Sequence, residues 1–311
     1  MSEKVQKSYN IRMRKHLFSL LFLLAAGAIW WASISSTLRN PLSDNGNPVV
    51  VVSGYVPYTL TKQLAGDTVN VIMLLPPGTE PHAFEPTPGS LISMKYADAF
   101  IYLSDELEPW AKDLTKSAGT KTRVLSLTND FPKTEDPHVW MNVQQTQQLA
   151  SEIAQLLTQI NPAQQAFYEE NLNQLNQELG QLDQQFKTQL ANCQSREVVH
   201  VGHLAFKNLT DAYGLTLTAL AGTSHDGEHS AKKLAELTRQ IQQHNVHTVF
   251  TEDTLSPRLA QTVAQETGAQ ILPLYPIEHI SKKDFNNNVT YGALMRRNLA
   301  SLTRGLSCQA S

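Results

Sequence analysis

The stretch Val69-Asn-Val-Ile-Met-Leu-Leu-Pro-Pro-Gly-Thr-Glu-Pro-His-Ala-Phe-Glu-Pro86 joins two kinds of chain. Val69 to Leu75 is an apolar strand, and it runs into a proline-stiffened loop in which His82 stands between Glu80 and Glu85. Gly89 to Tyr96 then reads as a helix. A strand that opens into a polar loop and returns through a helix is the building unit of a parallel α/β sheet. Outward from it the alternation continues: strand Val49 to Ser53 and a helix around Tyr58 to Ala65 before it, then strand Ala99 to Leu103, helix Leu107 to Ser117 and strand Arg123 to Leu127 after it.

Between Met141 and Asn192 the chain becomes glutamine-rich and holds no strand-like run. Leu149, Ile153, Leu156 and Ile160 lie at helical steps, and after Asn161-Pro162 the residues Leu172, Leu175, Leu179, Leu182, Phe186 and Leu190 share one face. A helix from Ala163 to Leu190 would be roughly 42 Å long at 1.5 Å per residue, enough to run along two stacked lobes. The competing reading is a coiled-coil arm, whose seam spacing is similar, but the flanking positions are mostly Gln and Asn rather than paired charges. A second α/β series comes next: strands Val198 to Val201, Thr216 to Leu220, Thr248 to Thr251 and Gln270 to Leu274, with helices Ala205 to Tyr213, Ala231 to His244, Pro257 to Thr267 and Tyr291 to Leu306. The expected organisation is an export signal or membrane anchor with its linker (1–40), an N-terminal α/β lobe (41–142), a helical linker (143–192) and a C-terminal α/β lobe (193–311).

The 311 residues are 41% hydrophobic and 17% charged, a globular composition with chain enough for two domains. Lys4, Lys7, Arg12, Arg14 and Lys15 precede an apolar run from Leu17 to Ile34, the layout of a secretory signal. The run also approaches the roughly 20 residues of a membrane span, so an uncleaved anchor competes with cleavage near Ala32-Ser33. No cysteine lies near it, which excludes a lipid-modified N-terminal cysteine on this reading. Residues 1–40 hold six of the 25 basic residues and one of the 28 acidic ones, leaving 19 against 27 and a net charge of −8 beyond them. That acidic body argues against nucleic acid, which needs a basic footprint, and suits a protein that handles cations. Cys193 and Cys308, the only cysteines, read as one disulfide in an oxidising compartment, against the alternative of two free thiols.

Two further histidines occupy settings like that of His82. His138 lies in Asp136-Pro-His-Val-Trp140 at the mouth of a helix, and His203 in His-Leu-Ala-Phe206 just after a strand. Imidazole is the commonest ligand of borderline cations such as zinc, and a ligating histidine is oriented by a nearby acceptor. Singly, a loop histidine is more often a solvated or capping residue; three in like positions point to one shared site. A closed tetrahedral site needs a fourth ligand. Glu252 at a strand end is the first choice, its bland reading being a helix cap or a partner of Arg258; Asp284, Glu278 or a water are the further options. His225 and His229 straddle Gly227 ahead of a helix and read as a solvated loop rather than a second metal motif, while His200 reads as a buried strand residue and His244 and His279 as structural or exposed. No nucleophile elbow, phosphate-cradling glycine loop or helical His-Glu-x-x-His is present, so no enzyme is expected.

At these residues the chain resembles the metal-binding subunits of bacterial ABC importers for zinc and manganese, the cluster A-I solute-binding proteins. The resemblance is carried by Pro77-Gly-Thr-Glu-Pro-His-Ala-Phe-Glu-Pro86, Asp136-Pro-His-Val-Trp-Met-Asn142, His203-Leu-Ala-Phe with Tyr213-Gly-Leu215, Leu107-Glu-Pro-Trp110, Phe250-Thr-Glu252 and Glu266-Thr-Gly268. It implies two α/β lobes joined by a rigid backbone helix, a metal held between them by His82, His138 and His203, and delivery to a membrane permease by a monomer in the periplasm. Manganese-type members carry an acidic residue shortly before the final helix, and Asn286-Asn-Asn-Val-Thr290 offers none here, so Zn2+ is expected over Mn2+. The histidine-rich loop of many zinc importers is absent from 116–135. The runner-up function is a surface adhesin on the same scaffold. Zinc affinity is expected to fall as pH drops through roughly 6.5, the unperturbed imidazole pKa.

Overall fold

Four valines, Val49–Val52 (β1), lie fully buried because β1 is flanked on both sides in its sheet and covered on both faces. In the computed structural model, which describes residues 40–43, 45–79, 81, 84–132, 135–220, 231–252 and 258–309, β1 pairs in parallel with β2 (Asn70–Met73) and β3 (Ala99–Tyr102), and β3 with β4 (Arg123–Ser126). The order β2-β1-β3-β4 recurs in a second parallel sheet, β6-β5-β7-β8, built from β5 (Glu197–His200), β6 (Thr216–Ala219), β7 (Thr248–Glu252) and β8 (Gln270–Leu274). The fold is therefore two α/β lobes. In each sheet the strand order reverses beside the first strand, and ligands of open α/β sheets bind at the carboxyl ends of the strands at that point.

Helix α1 (Tyr55–Ala65) starts a turn earlier than expected, because Pro57 falls in the first turn, where a missing N–H leaves no bond unmade. Helix α2 (Pro88–Tyr96) opens on a capping box between Thr87 and Ser90. The expected helix 107–117 shortens to α3 (Pro109–Leu114) plus a 3₁₀ turn at Thr115–Ser117; Glu108, ahead of a proline, stays non-helical at φ −129° and ψ 65°.

Helices α4 (Val143–Ile160) and α5 (Gln165–Gln189) form an antiparallel pair, joined by a 3₁₀ turn at Pro162–Gln164. At 25 residues α5 is roughly 37 Å long. Its early turns hold the first lobe: Tyr168 Oη meets Thr68 Oγ1 at 2.8 Å, and Asn171 Nδ2 donates to Leu64 O at 2.8 Å. Its late turns hold the second, where Tyr213 Oη donates to Asp183 Oδ1 at 3.0 Å and stacks on Phe186. Leu175, Leu179, Leu182 and Phe186 are buried in the chain's own core, so the apolar stripe leaves no seam for a coiled-coil partner. One hydrophobic cluster runs through both lobes and these helices, with a smaller one in the second lobe.

The second lobe carries α6 (Lys207–Ala212), α7 (Ala231–Gln243), α8 (Arg258–Thr267), a short α9 (Lys282–Asn286) that the sequence pattern does not reveal, and α10 (Tyr291–Gly305). Helix α10 ties the molecule together: Tyr291 N donates to Thr59 Oγ1 and Tyr291 Oη to Trp140 O at 2.7 Å. Cys193 and Cys308 are disulfide-bonded beside the amino-terminal end of β5. Among the described residues no helix is long and apolar enough to cross a membrane. The N-terminal unit, Met1–Gly46, is described only at 40–43, 45 and 46, so the expected export segment lies outside the described residues, as do His82, His225 and His229.

Candidate metal centre

The second lobe presents His203 from the loop after β5, at the strand-order reversal. Val201 N donates to Phe250 O at 2.7 Å and carries the β5–β7 ladder one residue past the strand. Gly202 then turns the chain, and only glycine fits: a Cβ there would lie 2.5 Å from His200 Cε1 and 2.6 Å from Glu252 Oε1. This close approach lets Glu252, the last residue of β7, bring Oε1 to 2.7 Å from His203 Nδ1. His200 Nδ1 faces His203 O at 3.0 Å, and its ring packs edge-on against Phe206. His203 and Glu252 are buried, and so is His200, in line with its reading as a strand residue.

The first lobe contributes His138, just ahead of the 3₁₀ turn Val139–Met141. Asp136 Oδ1 accepts from His138 N at 2.9 Å and lies 2.5 Å from His138 Nδ1. Trp140, fully buried, packs edge-on against the His138 ring and donates from Nε1 to Pro276 O at 2.7 Å, bringing the segment after β8 close. Asn142 caps α4 by accepting from Gln144 N at 2.9 Å, so the turn that holds His138 is fixed at both ends.

Glu278 enters between the two rings. Ile277 ahead of it adopts the left-handed φ of 67°, a conformation that costs a β-branched residue about 1–3 kcal/mol and is held by full burial of its side chain. Glu278 Oε2 lies 3.2 Å from His138 Nε2, and Oε1 lies 3.3 Å from His203 Nε2. The ligand-type atoms of His138, His203 and Glu278 all fall within 4.8 Å of one another, and all three residues are buried. Each imidazole thus turns Nε2 to the shared carboxylate and Nδ1 to its own acceptor, Asp136 or Glu252. Burial works to lower the His138 pKa, but the Asp136 and Glu278 carboxylates outweigh it and push it up to about 10. Burial likewise opposes ionisation of Asp136, and its contacts with His138 and the Lys207 amide overcome that and hold it below the usual carboxylate range.

The structure brings together His138, His203 and, of the three carboxylates considered, Glu278. Glu252 sits on the far side of the His203 ring from Glu278. Asp284 is engaged elsewhere, with Arg297 at 2.9 and 3.0 Å. The residues flanking His82 converge on Trp110, which donates from Nε1 to Pro81 O at 3.0 Å and meets the Phe84 ring edge-on at 4.8 Å. Gly78 N donates to Ile280 O at 2.7 Å, tying this loop to the segment that carries Glu278. Glu108, part of the Leu107-Glu-Pro-Trp110 motif but not singled out as a site residue, is buried with Oε2 accepting from Leu103 N at 2.6 Å. His244 pairs with Glu197 at the opposite end of β5.

A family profile for the periplasmic zinc-uptake complex component A, ZnuA, matches residues 50–305. The high-affinity zinc uptake system protein ZnuA of Bacillus subtilis (strain 168) is 29% identical over 93% of this chain and 98% of its own length. The zinc-binding lipoprotein AdcA of Streptococcus pneumoniae is 30% identical over 85% of the chain, which spans 56% of that longer relative. The crystal structure of its Zn(II)-bound ZnuA-like domain superposes with a TM-score of 0.74 at 31% identity, over 84% of this chain and 99% of the domain. The laminin-binding protein Lmb of Streptococcus agalactiae, described as having adhesin and metal-transporting activity, gives a TM-score of 0.77 at 30% identity, over 84% of this chain and all of Lmb.

Proposed function

We propose that this chain, which belongs to the family of zinc-uptake complex component A, captures Zn2+ outside the cytoplasm and hands it to the membrane permease of an ABC importer. The observation that carries this reading is the buried convergence of His138, His203 and Glu278 from two lobes. Two imidazoles, which are borderline donors, with one carboxylate oxygen make a set that suits zinc, and manganese, lower in the Irving–Williams order, binds such a set more weakly. In this reading the ligands are His82, His138, His203 and Glu278, while Asp136 and Glu252 accept from the outward ring nitrogens and fix the tautomers. Glu252, expected as the fourth ligand, is assigned the orienting role because its carboxylate addresses Nδ1 and not Nε2. The protein acts as a monomer in the periplasm, exported by the basic and apolar N-terminal segment; the inward-facing stripe of α5 supports the first point and the family the second. It is a solute-binding component and carries out no chemistry on its cargo. Calorimetric titration of the purified chain should give about one zinc per molecule and displacement of manganese by zinc. A preference for manganese in competition would overturn the reading.

A further inference from the structure

Asp136 reaches both lobes with one carboxylate. Oδ1 serves His138 of the first lobe, through Nδ1 at 2.5 Å and the backbone N–H at 2.9 Å. Oδ2 accepts from Lys207 N at 2.8 Å and Asn208 N at 3.4 Å, on the loop-to-helix segment that lies beyond His203 in the second lobe. Asn208 Nδ2 also donates to Asp136 O at 2.9 Å. Phe206, the residue ahead of Lys207, has no side-chain acceptor, so these amides draw theirs from across the lobe boundary. Glu252, the corresponding partner of His203, meets Nδ1 of that ring from the end of β7 in the same lobe.

We propose that Asp136 is a positioning residue that couples zinc on His138 to engagement of the second lobe at Lys207 and Asn208. The inference rests on the zinc-binding reading above and goes beyond it, because it names which of the two orienting carboxylates transmits occupancy. A cation on His138 Nε2 makes Nδ1–H a stronger donor and fixes Asp136 in the rotamer that offers Oδ2 to the second lobe. Coupling of this kind is reciprocal: the factor by which zinc strengthens the grip on Lys207 and Asn208 is the factor by which that grip strengthens zinc.

Amide hydrogen exchange and zinc titration on the full chain separate this from simple orientation. In the wild type, zinc should slow exchange at the Lys207 and Asn208 amides. Asp136→Asn should lower zinc affinity 10- to 100-fold and remove the zinc response of those amides. Glu252→Gln should lower affinity over a similar range and leave the response intact. Asn208→Ala, which touches neither imidazole, should lower affinity about fivefold, the equivalent of one hydrogen bond of about 1 kcal/mol, and it carries the test if Asp136→Asn fails to fold. An Asn208→Ala chain with wild-type zinc affinity, or an Asp136→Asn chain whose Lys207 and Asn208 amides still respond to zinc, would overturn the coupling. A wild type that takes up no zinc would instead remove the functional reading on which it rests.

Discussion

Glu278 and Glu252 are both buried carboxylates against His203, but Glu252 addresses Nδ1, whereas Glu278 addresses Nε2 and reaches Nε2 of His138 as well. Glu278→Gln should therefore cost more zinc affinity than Glu252→Gln, since a ligand is lost in one and an orienting acceptor in the other; equal losses in titration would make the assignment wrong. His138→Ala and His203→Ala should each weaken zinc at least 100-fold, and His244→Ala, in its exposed pair with Glu197, should leave it unchanged. Gly202→Ala would drive a methyl group into His200 and Glu252 and should reduce affinity with all ligands present. The pH dependence is set by His138. Its pKa in the folded, metal-free chain is raised to about 10, so its protonation stabilises that chain fully below about 6.5 and the contribution is lost as pH rises toward 10. Zinc must displace this proton. Affinity should thus keep rising with pH between about 6.5 and 10, well above the window expected from an unperturbed imidazole, and titration at pH 7.5 in buffers of different ionisation enthalpy should show about one proton released per zinc. His138 and His203 were legible because one opens a helical turn and the other follows a strand, while His82 lies outside the described residues. Glu278 ranked low because its aim depends on a left-handed isoleucine, which no sequence pattern announces.

The strands were legible as short apolar-rich runs between turn residues, most clearly the fully buried β1 and β3: β8 matches its expected bounds and the others differ mainly at their ends. The long helix was legible from its stripe of leucines, although the turn at Pro162–Gln164 delays its start to Gln165. Short helices were not: α9 has five residues, too few for a periodic signal, and is held by Ser281 Oγ accepting from Asp284 N at 3.1 Å and by the Asp284–Arg297 pair. If His82 is a ligand, as proposed, helix α3 bears on zinc binding, because Trp110 in its first turn holds Pro81 and Phe84 on either side of it. Trp110→Phe keeps a ring for Phe84 and removes the hydrogen bond to Pro81. Loss of one such bond is worth about 1 kcal/mol, so stopped-flow chelation should show zinc leaving about five times faster with little change in melting temperature. An unchanged dissociation rate would mean the loop is held without it.

Across the whole molecule the disulfide and the metal centre lie at opposite ends of β5, with Cys193 a few residues before the strand and His203 just beyond it. They should therefore stabilise independently. The bridge closes a separation of 115 residues, a loop whose closure contributes about 4–5 kcal/mol on the chain-entropy account. Zinc at a hundredfold excess over its dissociation constant adds about 2.7 kcal/mol by mass action, because it binds the folded chain alone. Reduction should lower the melting temperature of the metal-free and zinc-loaded protein by similar amounts, and the rise caused by zinc should survive reduction. At pH 5 that rise should shrink in both forms, since the proton competition at His138, present already at neutral pH, strengthens as pH falls. A chain in which reduction abolished zinc binding at neutral pH while leaving metal-free stability untouched would place the thiols in the site, and the assembly of ligands from two lobes would have to be abandoned.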